Sequence, residues 1–179
     1  ATYLLRQDGY EIDVMAEIGF FGYLPRPADP FIFNFSNIPT CKMLTDIHEV
    51  LGILMSGETQ RCFGALSAAQ VDRFGNLNST IVPPNLLITG SGGANDVASF
   101  CWKTIIIMKH EKERFVKKID FLTSPGYLDG PDAREKAGLP RGTGPYRVVT
   151  SMALFGFDEK SKYMKLLAVA PGYSKEDVL

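Results

Sequence analysis

A glycine-rich segment from Gly90 to Asp96 carries the clearest chemical signal in this sequence. It reads Gly-Ser-Gly-Gly-Ala-Asn-Asp and lies between an apolar stretch and a predicted short helix. Closely spaced glycines let the backbone approach a ligand, and amide groups at a helix start favour negative charge. The segment is therefore a candidate cradle for an anion or an oxyanion, although a tight structural turn would have the same composition.

The spacing of these glycines excludes two common phosphate-binding motifs. Asn95 stands where the dinucleotide-binding fingerprint has its last glycine, and no Gly-Lys-Ser or Gly-Lys-Thr follows the segment. Neither motif therefore accounts for the glycines.

Glu17 is the second candidate for chemistry. It follows an apolar stretch and precedes Gly19 and Gly22, at the predicted carboxyl end of a strand. Open α/β sheets bind ligands at such strand ends, so a half-buried carboxylate there could react. A glutamate in that position is more often solvated and inert, and the residue alone does not decide between the two.

Cysteine and histidine are sparse. Cys41, Cys62 and Cys101 are far apart, without the close pairs that zinc or redox chemistry uses. We predict buried free thiols in a reducing cytoplasm. His48 and His110 are predicted to be surface or capping residues, so no metal site is expected.

Length and composition are those of an ordinary globular chain. The 179 residues are 45% apolar and 22% charged, which predicts a single domain spanning residues 1–179. The net charge of −1 offers no field for nucleic acid. Because there is neither a long uncharged apolar run nor a basic N-terminal region before an apolar block, we expect a soluble cytoplasmic protein without membrane contact.

The first third of the chain is predicted to position Glu17 on a strand end. A strand from Tyr10 to Met15 runs into the turn that contains Glu17. The proline-rich stretch from Tyr23 to Pro39 is predicted to be a surface loop. Apolar residues at spacings of three and four predict a helix from Cys41 to Ser56, capped by Thr40 and stopped by Gly57.

The middle of the chain alternates strands and helices. We predict strands at Cys62–Leu66, Leu86–Thr89 and Thr104–Met108, a turn at Asp72–Asn76, and a helix at Ala94–Cys101. The β-branched run Thr104–Met108 is typical of a parallel strand covered on both faces. This alternation predicts an α/β fold.

The last third is predicted to add a hairpin at the sheet edge. Its strands run from Tyr146 to Phe157 and from Tyr163 to Ala170, joined by a polar turn. The run His110–Arg114 is predicted to be a solvated helical face with internal charge pairing. Ser174 and Asp177 form a capping pair, yet the chain stops before a helix is expected to form.

Taken together, these segments resemble the β subunits of family I coenzyme A transferases of the glutaconate type. In that family a strand ends in Glu-x-Gly, as Glu17-Ile18-Gly19 does here, and the glutamate is the nucleophile. The segment Gly90–Asn95 matches as well. The other matching segments are Gly64-Ala65, Ala69–Thr80, Lys109–Pro140, Phe157–Lys160 and Glu176–Val178.

The resemblance implies a fold and a reaction. The fold would be the isomerase-like CoA-transferase fold, α/β with a mostly parallel sheet flanked by helices, here truncated at both ends. The reaction would move coenzyme A between an acyl-CoA and a carboxylic or dicarboxylic acid by ping-pong chemistry through a glutamyl-CoA thioester on Glu17. Coenzyme A thioester would enter as substrate, with no permanently bound cofactor. An α subunit would complete a hetero-oligomer.

Each step of that reaction passes through a tetrahedral oxyanion that needs fixed donors. We assign this role to the backbone N–H of Gly93, with Gly92 or Ala94 beside it, for a contribution of about 3 kcal/mol. Gln70 and Asn95 are predicted to be polar supports of the same site.

Two other functions stay open at this stage. One is an acyl-CoA hydrolase or decarboxylase on the same scaffold, and the other is a non-catalytic module that senses a sugar phosphate or a CoA ester. A glutamate at position 17 favours transfer, because the anhydride route requires a carboxylate nucleophile.

Overall fold

The computed structural model describes residues 2–24, 35–56 and 61–178. Its backbone contacts divide the chain into two compact units, Ala1–Met55 and Ser56–Leu179. Each unit is described by itself below, and the single domain predicted from composition stays a prediction.

The first unit contains a small antiparallel sheet. Helix α1 (Thr2–Gln7) precedes strands β1 (Val14–Ala16), β2 (Phe20–Tyr23) and β3 (Met43–Leu44), and the strand order is β1-β2-β3. Ala16 pairs with Phe20 and Val14 with Tyr23, and a register shift between these pairs brings Ala16, Phe20 and Tyr23 into one buried cluster. The strand predicted to lead into Glu17 is thus present, although it is shorter than expected.

The helix predicted from Cys41 to Ser56 begins only at Ile47 and ends at Leu54, so the prediction is wrong for its first residues. Met43 and Leu44 pair with β2 instead, and most of the helical part is a π-helical stretch, Glu49–Leu54. Its start is set by Asp46, whose carboxylate accepts the backbone N–H groups of His48 and Glu49 at 2.8 and 3.0 Å. The cap is therefore an aspartate inside the predicted helix.

Thr40 does not cap that helix. It ends a 3₁₀ helix, Phe35–Thr40, and its hydroxyl accepts the N–H of Leu24 at 3.1 Å. Most of the predicted proline-rich loop, and the predicted stop at Gly57, lie outside the described residues.

The second unit is built on a five-stranded mixed sheet. Its strands are β4 (Phe63–Leu66), β9 (Lys103–Ile107), β11 (Pro145–Val149), β12 (Ala153–Phe157) and β13 (Met164–Val169). The order is β13-β12-β11-β9-β4. Strands β4, β9 and β11 are parallel, whereas β12 pairs antiparallel with both β11 and β13. This arrangement confirms the predicted α/β class.

Shorter elements surround this sheet. Three of them form a small sheet: β5 (Gln70–Asp72), β6 (Leu77–Asn78) and β10 (Phe115–Val116). The hairpin β7 (Ile81–Val82) and β8 (Leu86–Leu87) leads towards the glycine-rich segment. The helices are α2 (Ala94–Phe100), α3 (Ala133–Lys136) and α4 (Lys175–Val178).

One face of the large sheet carries the core. Thr104 and Ile106 on β9 and Val148 on β11 are buried there, with Val71 and Leu77 from the small sheet. Residues of the opposite parity are more open, and Ile107 is 54% exposed. The prediction that this strand is covered on both faces therefore does not hold for the described residues.

The end of the chain differs from the sequence prediction in two ways. The predicted strand Tyr146–Phe157 is two antiparallel strands, because the backbone reverses at Thr150, whose Oγ1 accepts the N–H groups of Met152 and Ala153. The pair Ser174 and Asp177 exchanges both capping hydrogen bonds and does start one helical turn, α4. No helix among the described residues is long and apolar enough to cross a membrane.

Candidate active site

Glu17 lies in the tight turn that joins β1 to β2. The N–H of Gly19 donates to the carbonyl of Ala16 at 3.0 Å and closes the turn, with Glu17 as its second residue. The Glu17 side chain is half-buried. The predicted placement at a strand end is therefore correct.

Gly19 explains why the motif reads Glu-x-Gly. Its φ is +112°, and a Cβ there would overlap the carbonyl oxygen of Thr45. The Gly19 carbonyl in turn accepts the N–H of Thr45 at 2.9 Å. Only glycine tolerates this conformation and this approach, so the residue two places after Glu17 fixes the turn against the neighbouring chain segment.

The glycine-rich segment leads directly into α2, as predicted. Gly93 is the N-cap residue and its carbonyl accepts the N–H of Val97 at 2.9 Å. Gly92 has a φ of +50°, which favours glycine, whereas Gly93 has an ordinary φ of −80°. Gly90 has open space where a Cβ would be. Backbone conformation therefore favours a glycine at position 92 and does not account for Gly90 or Gly93.

The hydrogen bonds distinguish the predicted oxyanion donors. The N–H of Ala94 is already donated to the carbonyl of Ser91 at 3.1 Å. Among the described residues, no acceptor is found for the N–H groups of Gly92 and Gly93, and Gly93 is buried. The geometry thus favours Gly92 over Ala94 as the partner of Gly93.

Asn95 fixes the beginning of α2. Its Nδ2 donates to the carbonyl of Thr123 at 3.0 Å. The Thr123 hydroxyl accepts the N–H of Ser79 at 2.9 Å and lies 2.9 Å from that of Thr80. Asn95 therefore ties the start of α2 to Thr123, and its role in an oxyanion site stays a prediction.

Gln70 belongs to the same polar network. Its Oε1 accepts Asn78 Nδ2 at 2.8 Å and the backbone N–H of Asp120 at 3.1 Å, while its Nε2 donates to Asp120 Oδ2 at 2.5 Å. Asn78 Oδ1 accepts the N–H of Thr80, which completes the connection to Thr123. The structure therefore joins the two predicted supports, Gln70 and Asn95, through side chains to which the sequence assigned no role.

Arg134 is a residue that sequence reasoning missed. It is 4% exposed, and its guanidinium donates five hydrogen bonds of 2.8 to 3.1 Å. The acceptors are the carbonyls of Ala98, Ser99, Pro125 and Gly126 and the hydroxyl of Thr143. Burial lowers its pKa to about 10. In sequence it stands among charged residues that suggest a solvated helix, so no local signal distinguished it.

Arg134 and Asn95 anchor the two ends of α2 to the same segment, residues 123–126. Arg134 joins the last carbonyls of the helix to Pro125 and Gly126, and Asn95 joins its first turn to Thr123. The helix that follows the glycine-rich segment is thereby positioned from both ends. Preorganised backbone donors need this kind of support.

Known proteins with the same sequence pattern identify the family. The family model described as coenzyme A transferase matches residues 51–179, which is most of the chain. The chain belongs to the coenzyme A transferase family. Glu17 lies before the matched residues, so its role stays a prediction.

The similarity to the glutaconate-type subunits is specific. The chain is 48% identical over 126 residues to the B subunit of glutaconate CoA-transferase from Acidaminococcus fermentans, covering 68% of this chain and 47% of that protein. It is 37% identical over 120 residues to the B subunit of 3-oxoadipate CoA-transferase from Pseudomonas knackmussii, covering 65% and 46%. The resemblance inferred from the sequence is confirmed. The chain spans about half the length of these curated relatives.

A solved coenzyme A transferase has the same fold. The crystal structure of glutaconate coenzyme A-transferase from Acidaminococcus fermentans superposes with a TM-score of 0.84 at 39% identity. The match covers 91% of this chain and 65% of the other. The fold predicted from the resemblance is therefore confirmed.

Proposed function

We propose that this chain is the β subunit of a glutaconate-type coenzyme A transferase, which moves coenzyme A between an acyl-CoA and a carboxylic acid. The observation that carries the proposal is the 48% identity to the B subunit of glutaconate CoA-transferase, together with membership of the family. A companion α subunit and a cytoplasmic location are part of the proposal.

Glu17 is the nucleophile of the proposed reaction. A carboxylate needs no separate base to attack a thioester carbonyl. Attack breaks the carbon–sulfur bond, releases the coenzyme A thiolate and leaves an acyl-glutamyl anhydride. The thiolate then attacks the glutamyl carbonyl, which gives a glutamyl-CoA thioester and the free donor acid.

The second half of the reaction reverses these steps with another acid. The acceptor carboxylate attacks the glutamyl-CoA thioester, and a second anhydride and free thiolate result. The thiolate attacks the acyl carbonyl of that anhydride, which releases the new acyl-CoA and restores Glu17. Water must be excluded throughout, since hydrolysis of either intermediate would end the transfer.

The N–H groups of Gly92 and Gly93 are the proposed donors to the tetrahedral oxyanions. Two observations support them: neither group has an acceptor among the described residues, and α2 is held at both ends by Asn95 and Arg134. Loss of one such donor typically lowers turnover by a factor on the order of 10² to 10³.

Covalent trapping tests the role of Glu17. The complex of this chain with its companion subunit is incubated with an acyl-CoA and treated with borohydride or hydroxylamine, and mass spectrometry locates the modified residue. We expect the adduct on Glu17. A Glu17→Gln variant should form no adduct and lose turnover by a factor on the order of 10⁶, as when other covalent nucleophiles are removed.

Glu11→Gln is the matched control, because Glu11 is an exposed acid of the same unit. This variant should keep both the adduct and the turnover. An adduct on a different residue would remove Glu17 from the mechanism. Release of free acid without any trapped adduct would indicate that the reaction is hydrolysis and not transfer.

A further inference from the structure

Two cysteines that are far apart in the sequence meet at one end of the large sheet. Cys62 directly precedes β4, and Cys101 ends α2 just before β9. The parallel pairing of β4 with β9 sets Phe63 opposite Lys103, so Cys62, one residue before β4, and Cys101, two residues before β9, lie at the same end of the sheet. The two Sγ atoms are 3.7 Å apart, with the Cys101 thiol donating to Cys62.

Packing above this end of β4 keeps the two thiols adjacent. A Cβ at Gly64 would lie 3.1 Å from Cys101 Sγ and would overlap the Val97 side chain. Glycine at position 64 therefore lets α2 lie close to the strand, and the Cys101 thiol is held over it. Neither cysteine forms a disulfide in this structure.

The two thiols have different environments. Cys101 is 1% exposed, whereas Cys62 is half-buried. The hydrogen bond from Cys101 lowers the pKa of the Cys62 thiol, and the same bond together with burial raises the pKa of Cys101. Since the thiolate is the reacting form, Cys62 is the attacking sulfur and Cys101 is placed to resolve the product.

We propose that Cys62 and Cys101 are an oxidisable dithiol, a modification site at which a low-molecular-weight disulfide such as glutathione disulfide installs an intramolecular disulfide bond. The Cys62 thiolate attacks one sulfur of the oxidant, which forms a mixed disulfide and expels one thiolate. Cys101 then loses its proton and attacks Cys62 Sγ, which displaces the second thiolate. Two protein thiols are oxidised, and one small disulfide is reduced to two thiols.

The structural change that this step needs is small. The sulfur atoms must approach from 3.7 Å to about 2.0 Å. The new bond would tie the end of α2 to the start of β4, so the helix that follows the glycine-rich segment would be covalently fixed to the sheet. This inference does not rest on the proposed transferase activity, because it concerns only the two thiols and their surroundings.

Thiol counting under native conditions tests the proposal. The full chain is equilibrated with glutathione disulfide at increasing ratios to glutathione, acid-quenched, and titrated for free thiols after denaturation. We expect the count to fall from three per chain to one. Peptide mapping should find Cys62 joined to Cys101, a mass lower by two hydrogen atoms, and Cys41 free.

Single substitutions identify the order of attack. Cys101→Ala should accumulate one glutathione on Cys62, and Cys62→Ser should leave Cys101 unmodified, whereas Cys41→Ser should behave like the unaltered chain. The proposal is overturned if the unaltered chain keeps three thiols, if Cys62 stops at the mixed disulfide, or if Cys41 is the residue that reacts. The unaltered chain decides these outcomes, so the result stands even where a variant folds poorly.

Discussion

The backbone conformation of Gly19 explains why the sequence motif around Glu17 contains a glycine. The glutamate in Glu-x-Gly attracts the chemical interest, but the glycine determines where the glutamate lies, through its φ of +112° and its contact with Thr45. A side chain at position 19 would disturb the turn that contains Glu17.

We predict that Gly19→Ala destabilises the first unit by roughly 1 to 3 kcal/mol, because alanine is strained at this φ and its Cβ overlaps the Thr45 carbonyl. Gly52→Ala is the control, since nothing lies within 4 Å of a Cβ there and its φ is not positive. Urea unfolding of both variants measures the difference. Equal free energies of unfolding would show that the Gly19 turn adapts.

Asn76 is a second residue whose importance lies in its contacts. Its side-chain oxygen accepts the N–H groups of Gly126 and Leu128, and its amide donates to Asp72 Oδ2 and to the Leu128 carbonyl, all at 2.8 to 3.0 Å. The buried amide is thus fully hydrogen-bonded. Burial raises the pKa of Asp72 in spite of these bonds.

We predict that Asn76→Asp destabilises the chain by roughly 3 kcal/mol at neutral pH. The introduced carboxylate would face the buried carboxylate of Asp72, and Asp72 Oδ2 and the Leu128 carbonyl would each lose a hydrogen-bond donor. The pKa of the introduced carboxyl is raised in the folded state. The loss should therefore shrink as pH falls towards the ordinary carboxyl range, where the group takes up a proton.

Thermal unfolding of Asn76→Asp at several pH values measures this effect. Asn85→Asp is the matched control, because Asn85 is exposed on the turn between β7 and β8. It should show little change at any of these pH values. A deficit of Asn76→Asp that does not depend on pH would contradict the electrostatic explanation.

At the scale of elements, α2 depends on segments that are distant in sequence. The helix has only seven residues, which is too short to be stable by itself. Its position comes from Asn95 and Arg134 and from the close approach permitted by Gly64.

We predict that Arg134→Met destabilises the second unit by roughly 3 to 5 kcal/mol, because four buried carbonyl groups lose their donors. Arg141→Met is the control: Arg141 pairs with Glu135 at the surface, where its side chain is 81% exposed, and should change stability by no more than about 0.5 kcal/mol. Denaturant titration compares them. Similar midpoints would show that Arg134 is dispensable for α2.

For the whole molecule, the proposed activity depends on parts of the enzyme beyond the residues that the structure describes. The relatives it matches are named as B subunits of coenzyme A transferases, and this chain spans about half of their length. A reactive anhydride also has to be shielded from water. Both points lead us to expect that the proposed transfer requires a companion subunit.

We predict that the chain alone shows no transfer of coenzyme A and that co-expression with its companion subunit restores transfer with ping-pong kinetics. Size-exclusion chromatography with light scattering checks that a complex forms, and an assay of acyl-CoA against acceptor acid measures the rates. Substantial transfer by the isolated chain would show that the companion is not needed.

Local patterns in the sequence determined several strands, a helix, a turn and a helix cap of this protein. The strands around residues 63–66 and 103–107, the helix after the glycine-rich segment, the turn at Asp72 and the capping pair near the end were predicted correctly. Each depends on periodicity or on hydrogen bonds that span only a few residues, and these are legible in one stretch of chain. The family was also predictable, because its motifs are contiguous.

Only the tertiary structure decided which of these residues act together. Cys62 and Cys101 are 39 positions apart, and the pairing of two parallel strands makes them neighbours. Met43 and Leu44 have helical spacing but pair with β2 instead, because tertiary contacts outweigh a weak local preference. The acceptors of Arg134 likewise belong to separate segments. Such contacts depend on register and packing between distant parts of the chain, and no local pattern encodes them.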